Sequence, residues 1–191
     1  MTVYRLSYDS YSFPRIDISE DELEQKLPNG RKDLSIGVSR KAIWNDEISG
    51  KYYFDPDNPH PKPCPDIAEY GGCELVFSQS AKDKLESVLS KYGEFLAINV
   101  EDKKHYLFNL LNFTDAIDPF NSKKEIFDGI EVGVEKISFL ENEVSDLCIF
   151  STPYDGYSYL YCTNEFKTLI ENSGLTSGWR YCKELREKAR L

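Results

Sequence analysis

The sequence predicts an α+β fold: a mixed, largely antiparallel sheet with a few flanking helices and two similar strand-helix-strand units. Two observations carry this expectation. "EFLAINV" and "HYLFNLL" are apolar runs of strand length joined by the polar turn "EDKK", the pattern of a hairpin of two largely buried strands. In addition, "LVFSQSAKDKLESVLSKYGEFLAINV" and "YLYCTNEFKTLIENSGLTSGWRYCKEL" repeat one order of strand, Ser or Thr cap, amphipathic helix, glycine stop and strand. Two instances are too few for a solenoid, which needs about three or more repeats. Chance similarity of common building blocks stays open beside true internal likeness.

In chain order, "VYRLSY" reads as a first strand, and "DISEDELEQKL" as a short helix capped by Ser19, with Glu22 completing a capping box. From Pro28 to Gly72 turn formers dominate, with short strands expected at Leu34 to Val38 and Lys51 to Phe54. "ELVF" is a strand, Ser78 caps the next segment, and Ala81, Leu85, Val88, Leu89 and Tyr92 recur at helical spacing before Gly93. After the hairpin, "FTDAIDPFNSK" turns the chain, Pro119 disfavouring helix at Asp118. Strands are expected at Glu131 to Leu140, Asp146 to Ser151 and Tyr157 to Cys162. The last two flank "TPYDGY", where Asp155 and Gly156 supply a turn able to take positive φ. Thr163 caps a helix with Phe166, Leu169 and Ile170 in one stripe. Gly174 ends it in the left-handed conformation, and Leu175 packs back on Ile170. "WRYCKELREKARL" reads as a strand passing into a charged helix or tail.

At 191 residues and 40% hydrophobic content the chain suits one domain over residues 1–191 with a sizeable core. Residues 1–65 have the texture of a more irregular N-terminal lobe, and residues 183–191 that of a charged helix or tail. No apolar run approaches the ~20 residues that span a bilayer, and the start lacks the basic-then-apolar order of a signal peptide, so a cytoplasmic protein is expected. Five cysteines, with no C-x-x-C pair, argue for free thiols. The formal charge is -10, although Arg180 to Arg190 holds five bases against two acids. Such a field repels nucleic acid and membrane surfaces and speeds encounter with basic partners.

Candidate chemistry is sparse. "NPHPKPCPDIAEYGGC" holds His60, Cys64, Asp66 and Cys73, all legitimate zinc ligands. Structural zinc sites pair ligands about two to four residues apart on a tight knuckle, whereas eight residues separate the two cysteines. An extended proline-rich crossing ending in a glycine turn is favoured, and no metal or cofactor is expected. A cysteine nucleophile needs a base, and the imidazoles are His60 and His105. His105 begins a strand behind "EDKK" and is expected at the surface. The usual hydrolase, zinc-protease, P-loop and dinucleotide motifs are missing. Asp115 with Asp118, or Glu141 with Glu143, can be read as an acid-base pair, yet Asp before proline in a turn is favoured for local hydrogen bonds alone. The carboxylates between Asp17 and Glu24 are either a good helix N-terminus or a partner-binding face. Tyr157, Tyr159 and Tyr161 alternate like one face of a strand, which suits recognition or ordinary sheet packing.

The order "PDIAEYGGCELVFSQSAKDKLE", "YLFNLLNFTDAIDPFNSK", "LCIFSTPYDGYSYLYCTNEFKTLIENSGLTSG" resembles a family of bacterial polymorphic-toxin immunity proteins, family eleven of that classification and formerly a domain of unknown function. The resemblance runs from about Asp66 to Tyr181. It implies a non-catalytic antidote, encoded beside a toxin and neutralising it in a tight complex by occluding its active site or substrate approach. The partner expected is a cognate toxin domain, basic in character. The surface residues expected to meet it are Asp17, Glu20, Asp21 and Glu24 on the first helix and Tyr154, Tyr157 and Tyr159 near the last hairpin. A hydrolase or transferase of unfamiliar type using Asp115 and Asp118, or Cys64, stays open, as does a cytoplasmic adaptor with a different partner.

Overall fold

The computed structural model describes residues 2–71 and 74–183. In chain order the elements are β1 (Val3–Tyr8), β2 (Arg15–Asp17), α1 (Glu20–Lys26), β3 (Ser49–Tyr53), β4 (Ile67–Tyr70), β5 (Glu74–Ser78), α2 (Gln79–Leu89), β6 (Gly93–Val100) and β7 (Lys103–Leu110). They continue with β8 (Lys123–Phe127), β9 (Ile130–Lys136), α3 (Glu141–Val144), β10 (Ile149–Phe150), β11 (Tyr161–Thr163), α4 (Asn164–Ser173) and β12 (Trp179–Cys182). Single 3-10 turns lie at Gly30–Leu34 and Pro153–Asp155.

Six strands close into a barrel in the order β2-β3-β6-β7-β5-β4. The expected hairpin is its backbone: β6 and β7 pair antiparallel over their full length, and Glu101 and Asp102 take positive φ in the two-residue turn. On β6 the side chains alternate, with Glu94, Leu96, Ile98 and Val100 pointing inward. β5 and β7 are buried on both faces. Val76 and Leu107 face each other inside the barrel, while Leu75, Phe77 and Phe108 pack outside against α2. This double burial explains the continuous apolar runs. The long connection from β2 to β3 fills the barrel with Leu23, Leu27 and Ile48, and its Trp44 Nε1 donates to the Ala97 carbonyl at 2.7 Å.

The second sheet, β10-β11-β1-β12, is antiparallel throughout. The repeated units seen in the sequence have the same topology here. β5 and β6 flank β7, and β11 and β12 flank β1, each pair parallel across an intervening antiparallel strand, with α2 or α4 as the crossover. Both helices bury their stripes in one shared core, Ala81, Leu85 and Leu89 from α2 and Phe166 and Ile170 from α4. Each leucine contributes about 1.5–3 kcal/mol by leaving water. Ser78 and Thr163 accept the Ala81 and Glu165 amides as caps, and Gly174 ends α4 at φ +67°. Residues 2–65 enter both sheets, through β1 in the second and β2 and β3 in the barrel.

Several local expectations change. Residues 35–38 form no strand: Leu34 closes a 3-10 turn, and Arg40 Nη2 donates to the Leu34 carbonyl at 2.9 Å, taking an acceptor that a ladder would need. β11 starts only at Tyr161, because Gly156 and Tyr157 both take positive φ and Asp155 accepts the Ser158 amide at 3.0 Å, folding the segment onto its own turn. β8 goes unforeseen although "IFDGIE" contains the Asp-Gly pair of a tight hairpin. Among the described residues it pairs with β9 alone. Within the expected C-terminal helix or tail, residues 184–191 fall outside the described residues, as does Cys73.

Candidate binding surface

The two ends of the barrel differ in chemistry. At one end His105 faces inward, buried rather than at the surface, and its Nε2 lies 3.0 Å from the Tyr52 hydroxyl. Burial pushes its pKa below the ordinary value, favouring the neutral ring. Cys64 is exposed beside the same Tyr52, and partial desolvation, aided by Glu101, pushes its thiol up. A thiol held protonated is a poor nucleophile.

At the other end Glu94 and Asn109 face inward as a cross-strand pair. Glu94 accepts the Arg40 amide at 2.6 Å, the Ser39 hydroxyl at 2.8 Å and the Asn109 amide at 2.8 Å. Burial pushes its carboxyl up, but these donors win and hold it below the usual range. The Arg40 side chain is 2% exposed and reaches Glu74 at 2.7 Å. Burial raises the Glu74 carboxyl against the pull of Arg40.

This end opens into a cleft of about 790 Å³. One wall is β2, where Arg15 and Asp17 point outward while Ile16 enters the barrel. Arg15 stacks on Tyr53, 5.2 Å from the ring centroid. Phe113 and Tyr157 form another part of the lining, edge to face at 5.3 Å. Arg15, Arg31 and Arg40 line the cleft with Asp17 and Glu74, so cationic groups are concentrated in an otherwise acidic chain.

The expected contact residues distribute around this cleft. Asp17 and Tyr157 line it directly. Glu20 reaches it through Arg31, at 3.0 Å. Asp21 and Glu24 are exposed farther along α1. Ser19 caps the Glu22 amide, but the Glu22 carboxylate accepts the Ser49 amide at 2.8 Å, tying α1 to β3 where a capping box would point it back to Ser19. Tyr154 lies beneath Lys124, 4.3 Å from ammonium to ring centroid, and Tyr159 beneath the Arg5 guanidinium at 5.0 Å. Tyr161 leaves the series: it is buried, and its hydroxyl donates to Asp155 at 2.6 Å, bracing the turn that presents Tyr157. The arginines escaped sequence reasoning because they are scattered over Arg15, Arg31 and Arg40 with no shared period.

The alternative chemistry finds Asp118 engaged in its own turn, accepting the Phe120 and Asn121 amides and the Asn121 side chain. Those donors hold its carboxyl below the usual range. Asp115 is exposed, and neither aspartate lines the cleft. Among the described residues no three His, Cys, Asp or Glu side chains gather as a metal site, and no helix is long and apolar enough to cross a membrane.

A family model described as "Immunity protein family (Imm11)" covers residues 19–183, most of the chain. No curated protein matches it.

Proposed function

The chain belongs to the immunity protein family Imm11, and on that premise we propose that it binds a cognate bacterial toxin domain and neutralises it. Inhibition works by occlusion: the complex covers the toxin's active site or the approach of its substrate, in the cytoplasm of the producing or a sister cell. The chain acts as a single non-catalytic domain, and its partner is basic.

The observation that carries the reading beyond family membership is the convergence on one cleft of Asp17, Tyr157 and, through Arg31, Glu20. Aromatic and arginine side chains around a concavity are the residue types that dominate binding energy in interfaces, and the net charge of -10 over the whole chain steers a basic partner. The test is expression of the C-terminal toxin domain encoded beside this chain, alone and with it. Growth arrest that this chain relieves, with a stable complex on purification, is the expected result. Arrest that persists at full expression of this chain would refute the proposal.

A further inference from the structure

The hairpin of β8 and β9 is a two-stranded sheet outside the barrel and the second sheet. Among the described residues its strands pair only with each other, and neither contains a buried residue. It nevertheless exposes large apolar side chains together. Phe127 is 73% exposed and Ile130 67%, paired across the Asp128-Gly129 turn with Val132 exposed on the same side of β9, while Ile126 is exposed on the opposite face and Phe120, 95% exposed, precedes the base of the hairpin. Scattered exposed apolar residues are ordinary, but two large ones paired at a hairpin tip mark an interaction surface. A lone two-stranded hairpin is also marginal in water without a covered face.

The hairpin is anchored at its base. Ser122 Oγ donates to the Ser138 carbonyl and accepts the Ser138 amide, at 3.1 and 2.9 Å, and Ile117 bridges to Phe139. Lys124 Nζ donates to the Tyr154 carbonyl and sits over the Tyr154 ring. Tyr154 belongs to the turn that presents Tyr157, so the hairpin adjoins the rim of the cleft. These contacts fix the base of the hairpin, so docking its tip costs less ordering than docking a free loop.

Charge selects the occupant. Between Asp115 and Asp146 there are nine acids and three lysines. Lys123 pairs with Glu135 at 2.6 Å, and Lys124 with Glu131. A second copy meeting this surface about a two-fold axis would set acid against acid. A basic partner with an apolar groove fits both the centre and the surround.

We infer that the β8–β9 hairpin is the docking element for the toxin, its Phe127-Ile130 tip entering an apolar groove on a basic toxin surface while the surrounding carboxylates engage that surface. The inference rests on the immunity reading and deepens it. The probe is the purified C-terminal toxin domain encoded beside this chain, titrated against the full chain and against the double variant Phe127→Asp, Ile130→Asp. The expected result is an unchanged thermal transition and an affinity at least about 30-fold weaker, mostly through faster dissociation. Hydrogen exchange on the unaltered chain gives a measurement free of any folding effect: amides of residues 123–136 should slow when toxin is added. If the unaltered chain binds toxin, the double variant binds equally and those amides are unchanged, the hairpin inference fails and the immunity reading stands. If the unaltered chain neither binds nor protects, both fall. A concentration-dependent dimer of the free chain that the double variant abolishes would assign the hairpin to self-association and overturn the inference.

Discussion

Asp66 and Thr176, 110 residues apart, hold each other by three hydrogen bonds. The Asp66 amide donates to Thr176 Oγ1, while the Thr176 amide and hydroxyl both donate to Asp66 Oδ2, all within 3.1 Å. Next to them Ile67 and Ser177 form a parallel bridge, and Trp179 Nε1 donates to the Ala68 carbonyl. The other Asp66 oxygen accepts the Ser78 hydroxyl, whose own oxygen caps α2. One carboxylate thus joins the barrel, the second sheet and a helix N-terminus.

Replacing Asp66 by Ala should cost about 1–3 kcal/mol, since several donors lose a charged acceptor. Burial pushes this carboxyl up, but the Thr176 and Ser78 donors win and hold it below the usual carboxylate range. A depressed carboxyl stabilises the fold above its unfolded value, and that stabilisation is lost as pH falls through the folded one. Urea midpoints of native chain and variant should therefore converge as pH drops below about 4. A gap that is constant with pH would contradict this role.

Glu69 on β4 carries the opposite dependence. Burial pushes its carboxyl up to about 7 against the attraction of Arg15. The folded state then holds the proton more tightly than the unfolded one, so this group's contribution to stability falls as pH rises from about 4.5 to 7. Glu69→Gln should melt above the native chain at about pH 8 and level with it below about pH 4.5. Equal melting at both pH values would show that Glu69 is not held protonated.

Arg40 offers a direct test of the barrel's polar end. Arg40→Ala strands Glu74 and the Leu34 carbonyl, and breaking a buried pair costs about 3–5 kcal/mol. Arg40→Lys should recover only part of this, because an ammonium lacks the planar fork that reaches two partners. Denaturant titration of both variants would show it; a loss below about 1 kcal/mol in the Ala variant would mean that water replaces the side chain.

Charge reversal along α1, with Glu20, Asp21 and Glu24 all changed to Lys, should slow association with the toxin domain about tenfold at low salt, the difference shrinking as salt rises. Stability should fall by only about 1 kcal/mol, from the lost helix-terminus charges. Stopped-flow association at several salt concentrations reads this directly. An on-rate that ignores both the reversal and the salt would remove α1 from the encounter.

Part of the architecture was legible because it is decided within a few residues. Ser19, Ser78 and Thr163 cap their helices, Gly174 stops α4, and the polar link after Val100 turns β6 into β7. Each depends on backbone groups two to four positions away, which the sequence spells out. The likeness between the two strand-helix-strand stretches was legible for the same reason, and their common topology follows from it. The Asp128-Gly129 hairpin was equally local and could have been read from that pair.

The sequence by itself determined the fold class, the boundaries of α1, α2 and α4, the acidic balance and the family resemblance, while α3 was not read from it. Only the tertiary structure decided that the largest sheet closes, through Ile16 beside Tyr70 and Ser49 beside Asn99, that His105 turns inward, and that Asp17 and Tyr157 share a cleft. These are pairings between residues tens of positions apart or more. Nothing in local periodicity encodes such a register; it is selected by which closure buries the most apolar surface while leaving each inward polar group, such as Glu94, with its donors.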